Sequence, residues 1–237
     1  MKNKFLIITM LFLTLFTLTA CKSYKPENTD AKKFKDEYES LNGTKRQKDS
    51  KIIRSINISE NNPMIYKEAK DIVKMINNKE TFVVYFGFAD CPWCRSVIPT
   101  LIDVANDLEL DTIYYVDVKQ IRDTITIDEN NELITSEKGT DDYYELIKLL
   151  DNVLSDYTIK DNDGNSVSAQ EKRIYAPNIV SVVDGEAKVL ESGISDKQTD
   201  GYMELTDEMI EETYKKFKCS IECVIENKNI CSSKASC

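Results

Sequence analysis

The sequence predicts an α/β fold, a central sheet covered by helices, on three observations. The run Phe82-Val83-Val84-Tyr85-Phe86 is uncharged, β-branched and aromatic, which reads as a strand buried on both faces. Directly after it the apolar spacing changes, and Val97, Ile98, Leu101, Ile102, Ala105 and Leu108 fall at helical intervals. A second covered strand follows at Thr112 to Val118, and strand, helix, strand in that order suits a parallel sheet with right-handed crossovers.

Taken in order, the chain opens with the character of an export signal over residues 1–20. Lys2 and Lys4 precede the apolar run Phe5 to Leu18, which is short for a membrane span. Leu18-Thr19-Ala20-Cys21 resembles a bacterial lipobox, in which Cys21 is acylated and begins the mature chain. An uncleaved anchor helix with an incidental cysteine is the alternative, and either reading holds the chain to a membrane on its extracytoplasmic side. Residues 21–50, polar and lysine-rich, read as a tether, with a short helix at Ala31 to Leu41 carrying Phe34, Tyr38 and Leu41 on one side.

The folded domain is expected over residues 51–217. Ile52, Ile53, Ile56 and Ile58 suggest a first edge strand, and Pro63 is placed to open a helix with Ile65, Ala69, Ile72, Val73 and Ile76 on one face. Beyond Val118, residues 119–173 form an insertion. It is expected to hold a hairpin, Thr124 to Ile127 with Glu132 to Thr135, and a helix from Tyr143 to Leu154. Asp161-Asn162-Asp163-Gly164-Asn165 offers oxygen ligands in a row, but its glycine is misplaced for a calcium loop and no glutamate closes it, so a tight turn is expected. Asn178 to Val183 and Ala187 to Leu190 read as a hairpin, and Leu205, Met209, Thr213 and Phe217 stripe a closing helix.

The chemistry is concentrated at Cys91-Pro92-Trp93-Cys94. Cys91 falls where the helix begins, and a helix start presents unpaired N–H groups and the positive end of the dipole, so a thiolate there is stabilised. Cys91 is therefore the expected nucleophile. Cys94, one turn on and facing into the fold, is placed to attack a mixed disulfide formed at Cys91 and release the partner. Two cysteines separated by two residues also occur in metal sites and structural disulfides; the strand-to-helix placement favours the redox reading.

With the motif in that setting, the chain resembles the thioredoxin superfamily over residues 51–217. Pro99, five residues after Cys94, matches the family's active-site helix proline, and Tyr175-Ala176-Pro177-Asn178-Ile179-Val180-Ser181-Val182-Val183-Asp184-Gly185 resembles its cis-proline strand, with Gly185 and Gly193 at the family's spacing of turn glycines. The resemblance implies a mixed sheet flanked by helices with an insertion before the cis-proline strand. It implies Cys91 and Cys94 as catalytic thiols, and Trp93, Ala176 and Pro177 as substrate-binding, with the Ala176 backbone facing Cys91. No cofactor or metal is implied. Two departures stand out. The family's buried acid, six residues before the first cysteine, is here Tyr85, a poor proton acceptor near neutral pH. Asp90 sets a negative charge beside Cys91, which Arg95 is placed to offset.

Composition narrows the function further. The net charge is −10, and loss of Lys2 and Lys4 with a signal would make it more negative, which argues against nucleic acid and against contact with anionic lipid beyond an anchor. There are no histidines, so no histidine base or histidine metal ligand is available. Of seven cysteines, acylation of Cys21 leaves an even number. Cys219, Cys223, Cys231 and Cys237 crowd the tail, residues 218–237. They are read as two structural disulfides of unassigned pairing, with a four-thiolate zinc site or a thiol relay to Cys91 as alternatives. The expected function is an anchored extracytoplasmic thiol–disulfide oxidoreductase acting on exported proteins or peptides with the help of a redox partner. It resembles the thioredoxin-like accessory proteins of bacteriocin systems. A non-turnover binding or chaperone module on the same fold is the alternative.

Overall fold

The computed structural model describes residues 29–225. Cys21, Cys231 and Cys237, with the export signal, lie outside that span. Its elements in order are α1 (Thr29–Glu39), β1 (Met64–Tyr66), α2 (Ala69–Asn77), β2 (Phe82–Gly87), α3 (Pro92–Asp107) and β3 (Ile113–Asp117). The inserted β4 (Thr124–Ile127), β5 (Leu133–Glu137), α4 (Asp141–Leu149), β6 (Asp156–Lys160) and β7 (Ser166–Lys172) follow, then β8 (Asn178–Val183), β9 (Glu186–Glu191) and α5 (Asp207–Ile225).

The fold is mixed α/β. Five strands form the central sheet in the order β1-β3-β2-β8-β9; β3 is parallel to both β1 and β2, whereas β8 runs antiparallel to β2 and to β9. Every residue of β2 is buried, as its uncharged run requires. The period of two sends Val84 and Phe86 into a core shared with Ile72 and Ile76 of α2 and Leu146 of α4. Val83 and Tyr85 face the opposite core with Phe34 and Tyr38 of α1, Ile98 and Leu101 of α3 and Phe217 of α5. Two short hairpins, β4–β5 and β6–β7, make up the insertion, and Asp161 to Asn165 is the turn of the second, with the Asp161 carboxylate accepting from the Asn165 N–H at 2.7 Å.

Five points differ from the sequence reading. The segment read as tether is partly core: Ala31, Phe34 and Tyr38 are wholly buried, and the Phe34 ring meets Tyr115 of β3 edge-on at 4.9 Å. The domain therefore starts at α1, because a short aromatic stripe outweighs the surrounding lysines once there is a sheet to cover. Ile52 to Ile58 is not a strand; Ile52 makes one isolated bridge to Lys45, while Ile53 and Ile58 are buried under α1 and its following turn. Pro63 leads into β1 and accepts the Ile113 N–H at 2.8 Å, so the next helix waits until Ala69, where the Asp71 carboxylate accepts the Glu68 N–H at 3.1 Å. The last helix runs on past Phe217 to Ile225, burying Ile221 and Cys223, so the first part of the cysteine-rich tail is helical. The α4 helix likewise begins at Asp141, capped by the Thr140 hydroxyl, and ends at Leu149 rather than Leu154.

Candidate active site at the start of α3

Strand β2 delivers the chain through a turn to Cys91, which is the N-cap of α3. Pro92 takes the first helical position, where a missing N–H leaves no acceptor unfilled. The Cys91 sulfur accepts the Cys94 N–H at 3.2 Å and lies 3.5 Å from the Ala176 carbonyl oxygen. The Ala176–Pro177 peptide is cis. Sheet pairing of β8 against β2 is what carries Ala176 to the cysteine, since Asn178 is in register with Phe86.

The thiols are both free, and their environments push them apart. At Cys91 burial opposes ionisation, but hydrogen bonds from the Cys94 thiol and from the Cys94 and Trp93 N–H groups, with the charge of Arg122, together take its pKa below that of an ordinary thiol. Cys94 goes the other way: burial first, then the neighbouring Cys91 sulfur, drives its pKa well up. The arrangement offers one thiolate and one thiol within hydrogen-bond reach of each other, which is the starting state for thiol–disulfide exchange.

Access to the Cys91 sulfur is narrow. Cys91 is only 3% exposed. Its neighbours at the surface are Trp93 and Ala176, both half-buried, and the 201 loop comes in so tightly that a Cβ on Gly201 would stand 2.9 Å from the Pro92 ring. Beside this cover an open groove of about 490 Å³ runs past Trp93, Ser155, Arg173, Tyr175, Pro177 and Ile194. The groove thus combines Trp93 and Pro177, singled out from the sequence, with two residues of the insertion. Arg173 is held there by a buried ion pair, its Nη1 donating to Asp123 Oδ1 at 2.7 Å and its Nη2 to the Asp123 carbonyl at 2.9 Å.

Arg95 feels the charge of Asp90 but makes no ion pair with it. Its guanidinium is buried and spends its donors on oxygens of the N-terminal segment, the Tyr38 carbonyl (2.9 Å), the Arg54 carbonyl (2.7 Å) and the Asn42 side chain, together with the Ala89 carbonyl (2.9 Å). Asp90 is paired instead with Lys119 at 2.8 Å and lies 3.9 Å from Arg46. Arg122, which sequence reasoning passed over, is the cation that acts on Cys91; its guanidinium sits 5.1 Å over the Phe88 ring. Its only signal was position, five residues after the covered strand β3. Cys219 and Cys223, on α5, are both disulfide-bonded and so have no thiolate to offer a metal. Among the described residues no group of three or more cysteine, aspartate or glutamate side chains is placed to hold a metal ion, and no helix is long and apolar enough to cross a membrane. In comparisons with known proteins, no family model matches the chain and no curated protein matches it.

Proposed function

We propose that the chain is a thioredoxin-like thiol–disulfide oxidoreductase, lipid-anchored through Cys21 outside the cytoplasm and acting on exported proteins or peptides. The observation that carries this reading is the Cys91 sulfur itself, ionised more readily than a free thiol while it faces the Ala176 carbonyl at 3.5 Å and the protonated Cys94 one turn away. In the forward direction Cys91 attacks a partner disulfide, forming a mixed disulfide and releasing one partner thiolate. Cys94 then attacks the Cys91 sulfur, closing the Cys91–Cys94 disulfide, and its proton ends on the second departing sulfur. The Ala176 backbone and the Trp93 side chain are the docking elements for an extended segment of the partner. A separate redox partner restores the dithiol.

The near-complete cover over Cys91 favours a second reading, a binding or chaperone module that keeps the dithiol without turnover. Turnover of a disulfide-linked fluorogenic peptide in the presence of a small dithiol separates the two. Activity that Cys91→Ser abolishes supports the oxidoreductase; an inert wild-type protein that still binds the peptide supports the module.

A further inference from the structure

Residues 192–206 join β9 to α5 and pack against the start of α3 through Gly201. The base of this loop is tied to α5. Ser195 donates its hydroxyl to Glu212 Oε2 at 2.5 Å, the Asp196 N–H donates to Glu212 Oε1 at 2.9 Å, and Lys216 Nζ donates to the Ile194 carbonyl at 2.7 Å. Its tip, Asp200 to Met203, is held by a different part of the chain. Arg54 Nη2 donates to the Gly201 carbonyl at 3.4 Å and to the Met203 carbonyl, and the Tyr202 hydroxyl donates to Asp49 Oδ2 at 2.8 Å. Lys51 Nζ lies 3.6 Å from Asp200 Oδ2 and 4.5 Å from the centre of the Tyr202 ring. All three of these partners come from the segment between α1 and β1.

Gly201 shows how closely the tip is seated. It is buried, and its φ lies outside the left-handed region, so its own backbone does not call for glycine. Closeness does: a Cβ there would stand 2.9 Å from Pro92 Cβ, 3.1 Å from the Trp93 nitrogen and 3.2 Å from the Pro92 carbonyl carbon. That nitrogen carries an N–H directed at the Cys91 sulfur, so the tip and the Ala176 carbonyl both stand close to the same buried thiol. Tyr202 and Met203 are only half-buried, so polar contacts more than apolar burial keep the tip down.

We infer that residues 198–204 are an autoinhibitory strap over the dithiol, clasped shut by Asp49, Lys51 and Arg54 and opened when an incoming segment displaces it from Pro92 and Trp93. The inference goes beyond the oxidoreductase reading by adding control of access to the nucleophile. A segment held by several surface polar contacts and few buried apolar ones opens at a cost well below that of global unfolding. The base at Ser195 and Asp196 stays on α5 as the tip lifts. Closed, the strap leaves Cys91 buried. Open, it bares the start of α3 while the helix and the Cys94 N–H remain in place, so the reach of the sulfur changes and its ionisation does not.

The test labels the reduced, folded full-length chain with iodoacetamide across pH, and reads the limiting rate at Cys91 on the high-pH plateau separately from the pH midpoint. Arg54→Met removes the clasp on both loop carbonyls and keeps an apolar stem. It is expected to raise the limiting rate about tenfold, the factor one charge-assisted hydrogen bond is worth, with the pH midpoint unchanged. Gly201→Ala keeps the whole clasp but unseats the tip from Pro92, and is expected to raise the limiting rate as well. Cys94 stays unlabelled in both. A wild-type limiting rate in both variants overturns the inference. So does a faster rate accompanied by labelling of Cys94, which marks loss of the surrounding fold rather than release of the strap. Turnover of a disulfide-linked peptide, measured on the same proteins, separates the two readings: faster labelling without turnover in any of them leaves the strap standing and overturns the oxidoreductase, and turnover with wild-type labelling rates does the reverse.

Discussion

At Cys91, hydrogen bonding overrides burial, and the surrounding charges set how far. Asp90 is engaged by Lys119, and the positive charge of Arg122 acts on the thiolate. Arg122→Gln is expected to raise the pH midpoint of Cys91 alkylation by up to about one unit, without changing which cysteine reacts first. A second titration belongs to the insertion. The Glu171 carboxyl is pushed up to about 7, first by the hydrogen bond it gives Asp123 and then by burial. Its folded pKa lies above its unfolded one, so the folded state holds the extra proton between about 4.5 and 7. The stability from this group is fully present below that window and is lost as pH rises through it. Thermal unfolding of wild type is therefore expected to weaken from pH 5 to pH 8 more than that of Glu171→Gln, which keeps a donor toward Asp123; equal slopes would contradict the assignment.

Among the elements, α1 carries the largest correction. Its Phe34 and Tyr38 complete the face of the sheet that Tyr85 and Tyr115 leave open, and Arg95 of α3 grips the chain that follows. Phe34→Ala is expected to be destabilising by about 3–5 kcal/mol in denaturant unfolding. A tether residue would give a change near zero. The helix itself was legible as an apolar stripe at Phe34, Tyr38 and Leu41; its docking was not, because nothing local distinguishes a helix that covers a sheet from one that floats. The same limit explains Pro63. Met64 to Tyr66 is too short to show an alternating period, and its strand character comes from pairing with Ile113 to Tyr115 far along the chain. By contrast β2, β3, β8, β9 and α3 were readable because each has a long uniform period, and Asp184-Gly185 adopts the positive-φ turn its composition favours, at φ 53° and 74°.

Across the whole molecule, the site gathers residues from distant segments, and only part of it was legible. Cys91, Cys94 and Ala176 were foreseen because they sit in or beside local motifs. Arg122 and Arg173 were not, since their roles come from tertiary placement and isolated arginines carry no local signature. Arg173 and Ser155 give the insertion a wall of the groove, so replacing residues 119–173 by a short loop is expected to change which peptides are turned over; an unchanged substrate profile would assign the insertion elsewhere. The central claim, an unequal pair of thiols with Cys91 as nucleophile, is tested most directly by alkylating the reduced, folded protein at a series of pH values and locating the label by peptide mass. The account predicts that Cys91 is labelled first, with a midpoint below that of a free thiol, and that Cys94 stays unlabelled until the protein is unfolded. Labelling of Cys94 ahead of Cys91, or a Cys91 midpoint at or above that of a free thiol, would contradict it.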